Sequence, residues 1–296
     1  MMQIFKITLV CAMALTLYGC AAPRKPAVTP SQSPSQQQVA AYLATTDLSL
    51  GSNRFAAALV KDGAMVNEPQ ARFSFWHLGS GQPVAGDKAE AQLRAEPDSG
   101  FALYVAQVSF DRPGPWEVEV AVSGGGTSTI KASARFQVKE RSATPGIGEP
   151  APSSRSKKVG DAPSLEELTS ASPADPELYA VSIDEAVASG KPTAILFATP
   201  AFCTSRTCGP QMEVIQRLKE KFRERANFIH VELFDNPQEV AKDYTKARPS
   251  PAVLEWRLPT DPWVFLVDSQ GRIAAKFESF TTYEELEPAL TKLLVG

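Results

Sequence analysis

The chain has 296 residues, enough for two domains of ordinary size with a tail or linker to spare. A net charge of -3 and a pI near 5.6 supply no general basic field, which excludes a nucleic-acid backbone as the expected partner. The 24 Pro and 18 Gly gather in certain stretches, so globular pieces divided by extended connectors are expected.

The first residues point to export. "MMQIFK" gives a positive start and "ITLVCAMALTL" an apolar run of signal-peptide length, too short to span a bilayer comfortably. Leu17-Tyr18-Gly19-Cys20 then resembles the lipobox of bacterial lipoproteins, in which a small residue precedes a cysteine that is lipidated and becomes the new N-terminus. The resemblance implies a signal peptide over 1–19, lipid on Cys20, and a protein held outside the cytoplasm on the cell membrane or outer membrane. A secretory signal cut after Gly19 or Ala22 gives the same compartment, and either way Cys11 leaves with it. If Cys20 carries lipid, Cys203 and Cys208 remain as thiols in an oxidising compartment, with only each other to pair with.

Residues 20–45 are rich in Pro, Ser and Gln, lack an apolar period over most of their length, and read as a disordered tether. From 46 to 139 apolar and polar residues alternate in runs such as "ARFSFWHL", "FALYVAQVSF" and "WEVEVAVS", divided by Gly- and Pro-rich turns. Six or seven strands are expected, with Trp116, Val118, Val120 and Val122 on one face and Glu117 and Glu119 on the other. The succession of strand, Pro-Gly turn and Trp-led strand resembles small extracytoplasmic immunoglobulin-like domains, which implies an all-β sandwich and specifies no activity. His77 stands without a second His or a Met nearby and is read as a rim residue. Residues 140–175 lose periodicity and read as a linker, with at most one helical turn at Leu165 to Leu168 and "RSKK" as solvated charge.

From 176 to 296 the order of elements is αβαβαββα. "SIDEAVASG" starts at Ser182, has Glu185 three residues on and stops at Gly190. "PTAILFAT" is continuously apolar, as a strand buried on both faces must be. "QMEVIQRLKEKFRER" puts Met212, Ile215, Leu218 and Phe222 on one helical stripe. "NFIHVELF" is a second buried strand, "PQEVAKDYTKA" a short helix, "PWVFLVDSQGRIAAKFES" a hairpin, and "TTYEELEPALTKLLV" a closing helix.

A buried strand running into a cysteine pair at a helix start, then βα, then X-Pro before a hairpin and a last helix, resembles the α/β thioredoxin fold, in particular its extracytoplasmic thiol-disulfide oxidoreductases. That resemblance places Pro262 where the family keeps a cis-proline. It implies exchange with protein thiols or disulfides through Cys203 and Cys208, Cys203 entering and Cys208 resolving. Phe202, Asp261 and Pro262 would receive an extended partner peptide, and no cofactor is called for.

Two departures are visible. The family spacing is Cys-x-x-Cys, whereas "CTSRTC" puts four residues between the cysteines. Residues five apart on a helix lie about 8.6 Å from each other on diverging faces, beyond disulfide reach. If the two pair, "TSRT" must leave the helical path, with the regular helix beginning near Cys208 to Gln211. A thiolate at that helix start, with Arg206 near, is electrostatically favoured. The second departure is Phe197, six before Cys203, where thioredoxins carry a buried Asp. His230 or Glu232 on the neighbouring strand could then move the proton, although His230 also reads as a core histidine.

Two alternatives stand beside exchange. The dithiol of an anchored lipoprotein resembles Sco-type copper chaperones, which share the fold. Their distal His has no counterpart after His230, but two thiolates alone suit Cu(I). The other is a non-catalytic interaction module in which a disulfide pins the loop. The Pro-x-x-x-Thr-x-x-Cys spacing of peroxiredoxins is not met.

Overall fold

The alternating runs of the first half become strands. The computed structural model describes residues 38–96, 100–123 and 129–295; Cys20, the signal segment and most of the tether lie outside them. Eight strands come first: β1 (Val39–Leu43), β2 (Gly51–Lys61), β3 (Ala64–Met65), β4 (Gln70–His77), β5 (Val84–Ala95), β6 (Ala102–Phe110), β7 (Gly114–Ser123) and β8 (Thr129–Val138). Their order is β1-β2-β6-β5-β4-β7-β8, with β3 on β2, all pairs antiparallel. Instead of two separate facing sheets there is one continuous sheet. β5 pairs with β4 up to Gln92 and with β6 from Gln92 to Ala95, so it carries the ladder round a corner. Ser49 bridges Lys139 near the far edges, which brings the sheet close to a closed barrel.

Trp116, Val118, Val120 and Val122 are buried with Phe55, Phe73, Phe75 and Phe110 in one core. Glu117 and Glu119 face outward and pair with Arg135 and Lys131 across β7 and β8. His77 donates from Nε2 to the Pro113 carbonyl at 3.1 Å and sets its ring edge against Trp116. β1 corrects the reading of 20–45 as tether throughout. Val39, Ala41 and Leu43 alternate onto the core, a pattern too short to stand out after the Pro- and Gln-rich stretch.

The segment 140–175 carries little regular structure, one 3-10 turn at Leu165–Glu167, yet it is no free linker. Ala151, Ser154, Ser156, Leu168 and Thr169 are buried, and Pro150 bridges Arg272. Its hydroxyls are satisfied by distant partners, as where Ile183 donates its N–H to Ser156 Oγ at 3.0 Å. Composition cannot reveal such partners.

After a 3-10 turn at Pro176–Tyr179 come α1 (Ile183–Ala188), β9 (Thr193–Ala198), α2 (Cys208–Phe222), β10 (Asn227–Glu232), α3 (Pro237–Val240), α4 (Pro251–Glu255), β11 (Trp263–Val267), β12 (Ile273–Glu278) and α5 (Tyr283–Val295). The order is the expected one with α4 added, and the helix expected over 237–247 shortens to α3 and a 3-10 turn at Tyr244–Lys246. The second sheet runs β10-β9-β11-β12, with β9 and β10 parallel and β11 antiparallel to both β9 and β12.

β9 is buried on both faces, and its alternation sorts two cores. Ala194, Leu196 and Ala198 pack with Met212, Ile215 and Leu218 of α2 and with Leu286 and Leu290 of α5. Ile195 and Phe197 pack on the other side with Ile183, Trp256, Phe265 and Ile229. The two sheets belong to one compact unit. Arg54 of β2 pairs with Glu285 of α5 at 2.9 Å, and Glu278 of β12 accepts from the Thr46 N–H at 2.7 Å and the Asp47 N–H at 2.9 Å. No helix among the described residues is long and apolar enough to cross a membrane.

Candidate redox site

The site forms where β9 gives out. Phe202 donates its N–H to the Thr199 carbonyl at 3.1 Å, which turns the chain, and Arg206 donates its own to the Cys203 carbonyl at 3.3 Å. Arg206 sits at φ 61°, a left-handed conformation that a bulky residue rarely takes. This is how "TSRT" leaves the helical path. Helix α2 then starts at Cys208, with Pro210 in its first turn, where a missing N–H costs nothing. Gln211 anchors that turn: its Nε2 donates to the Thr281 carbonyl at 3.1 Å and its Oε1 accepts from the Thr281 N–H at 2.8 Å.

Cys203 and Cys208 are paired, with Cα atoms 6.0 Å apart. The two sulfurs are not equivalent. Cys208 is fully buried, whereas Cys203 is partly exposed, with Sγ 3.1 Å from Ser205 Oγ. Ser205 Oγ is in turn 2.7 Å from Thr207 Oγ1.

Asp261 and Pro262 form a cis peptide bond immediately before β11. Pro262 is buried and its carbonyl accepts from the Ser279 N–H at 2.9 Å, so it offers less surface to a partner than expected. Asp261 is half-buried and points at the pair, with Oδ2 3.3 Å from Cys208 Sγ. Burial, and next the nearby charge of Glu232, push its carboxyl above the usual carboxylate range. Cys203 Sγ, Cys208 Sγ and one carboxylate oxygen of Asp261 all lie within 4.8 Å of one another.

The other expected residues fall into place around this centre. His230 is a core residue: Nε2 donates to the Ala198 carbonyl at 3.1 Å and Nδ1 accepts from the Tyr179 hydroxyl at 2.6 Å. Burial pulls its pKa down despite the opposing effects of Glu232 and Ala198, so the ring is neutral. Glu232 accepts from the Ser170 N–H at 2.8 Å, Ser170 Oγ at 2.6 Å and the Leu233 N–H at 3.0 Å. Neither has the hydrogen-bonding position toward a sulfur that the missing acid of β9 invited. Arg206 is exposed, and it contributes its left-handed backbone turn. Phe202 is half-buried, its ring edge-on to Phe234 with centroids 6.0 Å apart, and Phe234 meets the exposed ring of Tyr244 at 5.7 Å. Ser170 was not foreseen at all. Its Oγ bonds both Glu232 and the Ala201 N–H, tying the 140–175 strap to the turn that leads into Cys203.

The fold and site define a disulfide whose second cysteine opens a helix on a four-stranded α/β sheet. No protein-family model and no curated protein matches the chain. Solved structures do. A crystal structure from Chlorobium tepidum, described as a thiol:disulfide interchange protein DsbE, is 13% identical with a TM-score of 0.37, over 51% of this chain and 99% of that one. A thio-disulfide isomerase from Thermus thermophilus is 24% identical with a TM-score of 0.28, over 35% and 79%. A solution structure from Bacteroides thetaiotaomicron, described as a protein disulfide isomerase, is 16% identical with a TM-score of 0.34, over 51% and 92%. At these scores the likeness assigns nothing to individual residues of this chain.

Proposed function

We propose that this protein exchanges disulfides with protein partners outside the cytoplasm, held at a membrane through lipid on Cys20. The observation that carries the reading is the inequality of the paired sulfurs: Cys203 is accessible and Cys208 lies fully buried at the first position of α2. A partner's sulfur can meet Cys203 alone, and Cys208 is positioned only to resolve what forms there. Phe202, with Phe234 and Tyr244 beyond it, gives an extended partner an aromatic surface beside the entering sulfur. The compartment supports the reading, since the lipobox-like Leu17 to Cys20 implies an oxidising surrounding.

The test is the reduction potential of the pair together with turnover. A working dithiol equilibrates with glutathione or thioredoxin buffers above about -300 mV and reduces or oxidises a protein substrate in more than stoichiometric amount. A pair below that value with no turnover would make the bond a staple for the loop 204–207.

A second reading has its own observation, the cluster of two sulfurs and the Asp261 oxygen. Once reduced, two thiolates suit a soft cation such as Cu(I). Reduced protein passed through a desalting column after Cu(I) addition is expected to lose the metal while keeping turnover. Retention of one equivalent per chain without turnover would favour copper handling instead.

A further inference from the structure

We infer that Asp261 is the proton acceptor for Cys208, a catalytic residue that replaces the acid absent from β9. The inference rests on the exchange reading and deepens it.

The buried thiol that resolves a mixed disulfide must lose a proton before it attacks, and Cys208 has no path of its own to bulk water. Position 197 cannot serve. Phe197 lies on the face of β9 that packs against Trp256 and Phe265, whereas Cys208 packs with Leu196 and Ala198 on the opposite face. His230 has both ring nitrogens engaged by Tyr179 and Ala198. Glu232 is held by three donors from Ser170 and Leu233. Asp261 comes from the other side, on the loop ahead of β11, and places Oδ2 against the sulfur itself.

Its surroundings fit the task. The groups that face its carboxyl are Glu232 at the end of β10 and the two cysteines; among the described residues no cation pairs with it. Burial and a like charge raise the carboxyl's affinity for a proton, which makes it a stronger base toward a thiol than an exposed aspartate is. Both redox states use the same contact. In the reduced protein the Cys208 thiol donates to the carboxylate; in the paired form a protonated carboxyl donates to the sulfur.

The step balances without another reagent. Starting from the mixed disulfide of Cys203 with a partner, the S–H proton of Cys208 passes to Asp261. The freed electron pair of Cys208 attacks Cys203 Sγ, the Cys203–Cys208 bond forms and the bond to the partner breaks. The partner sulfur leaves as a thiolate with the electron pair of the broken bond and is reduced, and Cys208 is oxidised.

The experiment uses the mature lipidated chain, whose free thiols are Cys203 and Cys208, reduced and mixed with the aromatic disulfide of 2-nitro-5-thiobenzoate. One equivalent of coloured thiolate marks attack by Cys203, and a second, slower equivalent marks resolution by Cys208. In Asp261→Asn the first phase persists, which also reports an intact fold, and the second slows by about 10²-fold near pH 7. The wild-type second phase rises with pH through the carboxyl's ionisation and then levels. The variant's keeps rising until the thiol itself ionises, so the two converge at high pH. A variant whose second phase matches wild type in rate and pH profile overturns the assignment and leaves exchange standing. A wild-type protein that releases no second equivalent overturns both.

Discussion

Cys208→Ser is expected to convert the protein from a catalyst into a trap: it accumulates one covalent partner adduct per chain and loses multiple turnover. Cys203→Ser is expected to form no adduct and to lose turnover as well. The asymmetry follows from burial, because a partner disulfide can approach Cys203 but not a sulfur with no exposed surface. Serine is nearly isosteric with cysteine, so in Cys208→Ser the hydroxyl can still donate to Asp261, and Gln211 still anchors the first turn of α2 to Thr281. The lost bond closes only a short loop, so stability falls by about 2 to 3 kcal/mol in the chain-entropy model, too little to unfold most domains. Intact mass under non-reducing conditions, after incubation with an oxidised, disulfide-bearing test protein, counts the adducts. Adducts on Cys203→Ser, or wild-type turnover by Cys208→Ser, would sink the assigned order of attack.

The second half of the fold was legible because its strands are long apolar runs and its helices carry clear stripes and caps. "PTAILFAT" could only be a strand buried on both faces, and the Ser182–Glu185 pair marked the start of α1, where the Ser182 N–H does reach the Glu185 carboxylate at 3.1 Å. The cysteine spacing also dictated a break in the helix, and Arg206 with its positive φ supplies it. What could not be read was every feature made by polar residues meeting across long separations. Glu278 binding Thr46, Asp47 binding residues 142 to 144, and Ser170 binding Glu232 leave no periodic mark in the chain. For the same reason 140–175 looked like a linker, and its buried serines and threonines looked like solvated ones. Asp261 was visible as the neighbour of Pro262, but its contact with Cys208, 53 residues away in the chain, leaves no mark in the sequence. Which face Phe197 takes is set by register on β9, and the alternation there turns it to the side away from Cys208.

Asp47→Ala is expected to cost about 3 to 5 kcal/mol, because it removes the anion of a buried cluster and strands a cation. The Asp47 side chain has no exposed surface. It accepts from Ser142 Oγ, from the N–H groups of Ala143 and Thr144 at 2.8 and 3.1 Å, from Thr144 Oγ1 at 2.9 Å and from Lys139 Nζ at 3.1 Å. Lys276 Nζ stands 3.7 Å away over the Trp263 ring. Burial alone would raise the carboxyl's pKa, yet the bonds from Ser142, Ala143, Thr144 and Lys139 hold it far below the usual range. Lys276 is itself pulled down by burial, with Asp47 the main force opposing that. The cluster fastens the start of the first sheet to the strap at 142–144 and to β12, so the whole unit should feel its loss. Thermal melting is expected to drop by roughly 10 °C for a domain of this size, and Asp47→Asn, which keeps an acceptor but not the charge, by less. The acid limb gives an independent reading. A folded pKa below the unfolded one means that only the unfolded chain binds this proton as pH falls through about 3.9, so the stabilisation is complete above that pH and drains away below it. Denaturant midpoints of wild type and Asp47→Asn should therefore keep a constant gap from pH 6 to about pH 4 and begin to close it between there and pH 3. Parallel curves over that range, or an alanine variant melting with wild type, would show that the cluster holds nothing together.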